Sequence, residues 1–140
     1  MKVLLATDGS PYTQRMLDYI ATHDNMFGVA PEFTAVAVVS AVPPRVSAFL
    51  DRETIDGHYQ EEAERVLKPV QAFAESKQWN LKVQHRVGHA GDMIADTAKR
   101  GSFDLVVMGS HGHSSLGSLV LGSVTAQVIG RCDTPVLIVR

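Results

Sequence analysis

The sequence predicts an α/β chain, one open parallel sheet with helices on both faces, Rossmann-like in outline. Two observations carry this. Val3-Leu4-Leu5-Ala6 and Leu105-Val106-Val107-Met108 are apolar runs without polar alternation, which suits strands buried on both faces of a parallel sheet. Segments of helical period separate such runs, and strand–helix alternation closing on a strand predicts a parallel sheet covered on both sides. The 140 residues amount to one ordinary domain. With no linker, internal repeat or low-complexity stretch, residues 1–140 read as a single unit.

The first run stops at Asp8-Gly9-Ser10-Pro11, where Ser10 and Pro11 suit the N-cap and first position of a helix. Leu17, Ile20 and Ala21 supply that helix with an apolar face, and it should end near Asp24-Asn25. Phe33 to Val39 is the second strand. Pro43-Pro44 follows and predicts irregular chain. From Thr54 to Gln78 the pattern is helical, with Ile55, Tyr59, Ala63, Val66, Val70 and Phe73 on one face. Pro69 inside it predicts a kink or break. Leu81, Val83, His85 and Val87 alternate with polar residues, as in a half-exposed strand near a sheet edge. A Gly88–Gly91 turn leads into a short helix with Met93, Ile94, Thr97 and Ala98 inward, stopped by Gly101. Asp104 to Met108 is the fourth strand, Ser123 to Arg131 a helix, and Pro135 to Val139 the last strand.

Composition excludes several functional classes. Hydrophobic residues make up 45% and charged residues 20%, a globular balance. The net charge of −2 argues against a general nucleic-acid or membrane-surface binder. The N-terminal apolar run is too short for a signal peptide and meets Asp8 at once, and no stretch approaches the roughly 20 apolar residues of a membrane span. One cysteine, Cys132, allows no intrachain disulfide and suits a reducing compartment. The expectation is a cytoplasmic protein.

In open parallel sheets ligands bind beyond the carboxyl ends of the strands, where strand order reverses. That brings Thr7-Asp8-Gly9-Ser10 and the loop beginning at Gly109 to one crevice. The second loop reads G-x2-G-x9-G-S, with Gly109, Gly112, Gly122 and Ser123. Its glycines allow backbone N–H groups to approach phosphate oxygens. Gly122-Ser123 opens a helix whose first amides form an anion site, and Ser114 and Ser123 add hydroxyls. The alternative is a plain glycine-rich connection between strand and helix. Neither G-x4-G-K-[S/T] nor G-x-G-x-x-G is present.

Ala6-Thr7-Asp8-Gly9-Ser10, followed by Val107-Met108-Gly109-Ser110-His111-Gly112 and closed by Pro135-Val136-Leu137-Ile138-Val139, resembles the universal stress protein family along the whole chain. G-x2-G-x9-G-[S/T] is that family's ATP-binding motif. The resemblance implies a five-stranded sheet in the order 3-2-1-4-5 and a homodimer joined through the last strands. It implies that Ala6 and Val38 line an adenine slot and that Asp8 holds the ribose or adenine region. Met108 and Gly109 would lie under the sugar and phosphates. Gly112, His113, Ser114, Gly122, Ser123 and Val124 would surround the phosphate chain. ATP, with Mg²⁺ or Mn²⁺, is the implied ligand, and stress response or signalling through a protein partner the implied role. The chain departs from the family pattern at His113, where a basic residue is common, at Ser40, and at Ala90.

No catalytic set emerges. Ser10 has no G-x-S-x-G elbow, and no positioned base for an attacking water is evident. His111 and His113 supply two ligands, short of a transition-metal site, and Cys132 reads as structural. Three roles compete: a nucleotide-binding signalling module, a slow ATPase or phosphotransferase, and a ligand-free dimeric scaffold.

Overall fold

The computed structural model describes residues 1–113 and 121–140. Strand β1 (Lys2–Thr7) leads to helix α1 (Pro11–Thr22), a 3-10 turn (Asp24–Phe27) and β2 (Glu32–Val39). A helical turn α2 (Pro44–Ser47) precedes the long helix α3 (Arg52–Ser76) and β3 (Asn80–Val87). Then come α4 (Ala90–Arg100), β4 (Leu105–Gly109), α5 (Ser123–Arg131) and β5 (Val136–Val139). The strands form one five-stranded sheet in the order β3-β2-β1-β4-β5, and every pairing is parallel. The expected fold is the observed one.

Alternation along β1 divides the core in two. Val3 and Leu5, with Met16, Leu17 and Ile20 of α1 and Leu67 and Val70 of α3, pack on one face. Leu4, with Ile94 and Ala98 of α4 and Val128 of α5, packs on the other. Strand side chains point alternately to the two faces, so a central strand buried on both reads as an unbroken apolar run. The edge strand β3 alternates exposed and half-buried positions over Asn80–His85, as its sequence pattern indicated.

Local expectations met two corrections. Pro43-Pro44 does not give wholly irregular chain: Pro44 opens the short turn α2, where a missing N–H costs nothing. Nor does Pro69 interrupt α3, which runs through it from Arg52 to Ser76. Ala63 and Leu67 before the proline, and Val70 and Ala74 after it, are buried, and their packing offsets the roughly 3 kcal/mol cost of an interior proline. Pro69 itself is exposed, so the carbonyl it leaves without a donor lies on the solvated side. The N-cap of α3 is Asp51, whose side chain accepts from the Thr54 amide at 2.7 Å.

Asp96 on α4 accepts from Arg100 Nε and from Arg86 Nη2 of β3, each at 2.9 Å. The Arg100 hydrogen bond, then that of Arg86, holds its carboxyl below the usual carboxylate range. A folded pKa below the unfolded one stabilises the protein above about pH 4, and the contribution disappears as pH falls through the folded value. Asp96→Asn is therefore expected to lower the urea midpoint modestly at pH 7, with the deficit narrowing below about pH 4. A deficit independent of pH would show that the pair works otherwise.

Candidate functional site

Strand order reverses between β2 and β4, the two neighbours of β1, and a crevice of about 550 Å³ opens there at the carboxyl ends. Its floor follows from side-chain parity. Ala6 of β1 pairs in register with Met108 of β4, and both belong with Val38 of β2 to the face covered by α4 and α5. Ile94 of α4 closes this apolar slot. The four side chains offer a flat ring dispersion contact and no charge.

Asp8 stands at the rim, in the turn that Gly9 makes with φ 76°. Its Oδ1 accepts from the Ser10 amide at 2.9 Å and from the Thr13 hydroxyl at 3.0 Å, while its own N–H donates to Thr13 Oγ1 at 3.1 Å. Ser10 occupies the N-cap of α1 as expected, but its side chain makes no cap bond. The Asp8 carboxylate accepts from Ser10's own amide, just before the helix.

The motif glycines fold the second loop against its surroundings. A Cβ at Gly109 would meet Tyr12 Cβ at 2.6 Å, so glycine lets α1 approach the end of β4. A Cβ at Gly112 would lie 2.5 Å from Asp8 Oδ2, so that loop residue packs directly against the carboxylate. At Gly122 it would meet His111 Cα at 3.1 Å and Ser110 O at 3.2 Å. The Gly122 amide donates to Ser110 O at 2.7 Å. Thr125 ties the same turn from α5, its hydroxyl donating to Gly109 O at 3.0 Å. Thr125 is 2% exposed, so Thr125→Val strands a buried acceptor and should cost about 1–3 kcal/mol. Urea unfolding checks this, and an unchanged midpoint would mean the carbonyl is satisfied another way.

Helix α5 begins at Ser123 without a side-chain cap. Its ladder starts with the Ala126 amide donating to Gly122 O at 3.0 Å. The amides of Ser123, Val124 and Thr125 precede that bond and have no intrahelical carbonyl to meet. All three residues line the crevice, so the positive end of a helix faces the space above the apolar slot. His113 crosses the opening, with Nε2 2.6 Å from Asp8 O. A carbonyl only accepts, so that nitrogen carries the proton. His111 Nδ1 lies 3.0 Å from Ser110 Oγ, and its ring sits 5.3 Å from that of Tyr12. Among the described residues, no group of three or more His, Cys, Asp or Glu is placed to hold a metal.

The profile of one known family, described as the universal stress protein family, matches residues 1–140. The chain belongs to the universal stress protein family. It is 32% identical over 139 residues to universal stress protein Slr1230 of Synechocystis, covering 99% of this chain and 42% of that protein. It is 30% identical over 147 residues to universal stress protein MJ0531 of Methanocaldococcus jannaschii, covering 99% of this chain and 81% of that protein. Among solved structures, that of MJ0577 superposes with a TM-score of 0.80 at 27% identity, covering 99% of this chain and 94% of the other. A universal stress protein solved in complex with cAMP shares the fold at a TM-score of 0.63 and 23% identity, covering 100% and 96% of the two chains.

Of the residues singled out in the sequence, Ala6, Asp8, Val38, Met108, Gly109, Gly112, His113, Gly122, Ser123 and Val124 line this one crevice of the universal stress protein fold. Ser114 lies outside the described residues. The sequence reading did not pick out Tyr12, Thr13 and Thr125 as crevice residues. A hydroxyl in the first turn of each of two helices was the available signal for Thr13 and Thr125. Among the described residues, no helix is long and apolar enough to cross a membrane.

Proposed function

We propose that this chain is a nucleotide-binding module of stress response or signalling that holds ATP between the loop after β1 and the glycine loop after β4. One observation carries the reading: an apolar slot, a carboxylate and the uncapped start of α5 share a cavity of about 550 Å³, within the size range of small-ligand sites. The purine lies against Ala6, Val38 and Met108, the donor-bearing sugar or base edge faces Asp8, and the phosphates meet the amides of Ser123 and Val124. A bound Mg²⁺ or Mn²⁺ would neutralise phosphate charge, held chiefly by phosphate and water oxygens. Family relatives support the ligand class: besides the cAMP complex, one was solved with dAMP and another with AMP.

The module works in the cytoplasm as a homodimer joined through β5, which has four residues and, among the described residues, an unpaired edge. It relays nucleotide occupancy to a protein partner without binding nucleic acid or membrane. Any hydrolysis is slow, because charge stabilisation acts there without a dedicated base. Freshly purified protein, denatured and stripped of chain, should release an adenine nucleotide identifiable by chromatography and mass. Release of none, together with no heat on adding ATP and Mg²⁺, would hand the lead to the ligand-free scaffold.

A further inference from the structure

We propose that Thr13 is a positioning residue for nucleotide recognition: it engages one oxygen of the Asp8 carboxylate and so presents the other, fixed, to a hydrogen-bond donor of the bound nucleoside. This rests on the nucleotide reading above. Asp8 is exposed, and an exposed aspartate on a turn ordinarily exchanges rotamers. Here it does not swing freely. The Thr13 hydroxyl has one proton to give and lone pairs to receive with, and it uses both on the same residue. The proton goes to Asp8 Oδ1 at 3.0 Å, and the oxygen accepts the Asp8 amide at 3.1 Å. The Ser10 amide adds a second donor to Oδ1 at 2.9 Å.

Thr13 itself is 7% exposed and belongs to α1, so the clamp stands on a rigid element. Asp8 lines the crevice, its Oδ2 lies beside Gly112, and among the described residues Oδ2 accepts no hydrogen bond. A carboxylate held this way repels phosphate and attracts hydroxyl or amine protons. It therefore orients the ligand, with its donor-bearing nucleoside at Asp8 and its anionic end at α5. Orientation by a locked polar group is how small sites gain discrimination. Valine has threonine's shape without the hydroxyl, so Thr13→Val removes the clamp and keeps the packing.

The test is a double-mutant cycle with ATP as the probe, read by calorimetry. Thr13→Val should weaken ATP binding by about tenfold, and Thr13→Ser should restore it. In an Asp8→Ala background, Thr13→Val should change affinity by less than about twofold. In the ligand-free protein, three-bond NMR couplings of Asp8 should report one side-chain rotamer in the parent and averaging in Thr13→Val. Parental affinity in Thr13→Val would overturn the proposal, as would the same loss with and without Asp8. If the parent itself binds no nucleotide, the functional reading fails, and the couplings still decide this role: a single Asp8 rotamer in Thr13→Val would overturn it.

Discussion

Gly122→Val is expected to weaken ATP binding at least about a hundredfold while the sheet stays folded. The Cβ it adds has backbone on two sides, His111 Cα at 3.1 Å and Ser110 O at 3.2 Å, and backbone cannot swing aside as a side-chain tip can. The two larger valine methyl groups then force Gly122 away from Ser110, breaking the 2.7 Å hydrogen bond that closes the turn. Helix α5 starts one residue later, so its first amides move with it. Hydrogen bonds to a charged group contribute about 1.5–3 kcal/mol each, and losing two of them accounts for the hundredfold. Calorimetry with ATP reads the affinity and circular dichroism reads the fold. Binding at parental strength in a folded variant would remove the glycine turn from the site.

Leu5→Ala is expected to have the largest effect on stability, about 2–5 kcal/mol. Leu5 is fully buried in β1, paired on one side with Ala35 of β2 and on the other with Val107 of β4. It packs in the cluster shared with α1 and α3. Two paired neighbours and two helices hold the site open, so little collapse relieves the cavity. Phe49, 90% exposed, gives the contrast: Phe49→Ala should alter stability by no more than about 0.5 kcal/mol. Urea unfolding compares the two. A Leu5→Ala cost near that of Phe49→Ala would contradict the central place of β1.

These two residues mark what the sequence made legible. Leu5 sits in a run whose lack of alternation already indicates burial on both faces, and the spacing of Gly109, Gly112 and Gly122 already indicates a loop folded close to something. What that something is depends on contacts far apart in sequence. Gly112 meets Asp8 and Gly109 meets Tyr12, and no local pattern announces either pair. The Thr13 clamp on Asp8 is short-range, yet residue type made Ser10 the better cap, and its hydroxyl makes no cap bond. The irregular chain expected at Pro44 and the break expected at Pro69 are absent for one shared reason. A proline's cost depends on whether its missing N–H and the carbonyl opposite fall at a helix start or in solvent. The loop holding Val42 is pinned by its amide to Tyr59 Oη of α3 at 2.9 Å, a contact that composition does not foretell.

The central claim is that the crevice at the carboxyl ends of β1 and β4 holds a nucleotide. Titrating ATP with Mg²⁺ into ¹⁵N-labelled protein, and mapping the amide resonances that move, tests it most directly. The expected result is saturable shifts concentrated at Thr7, Asp8, Gly109, Gly112 and Ser123–Thr125. No shifts, or shifts gathered instead along the end strands β3 or β5, would contradict it.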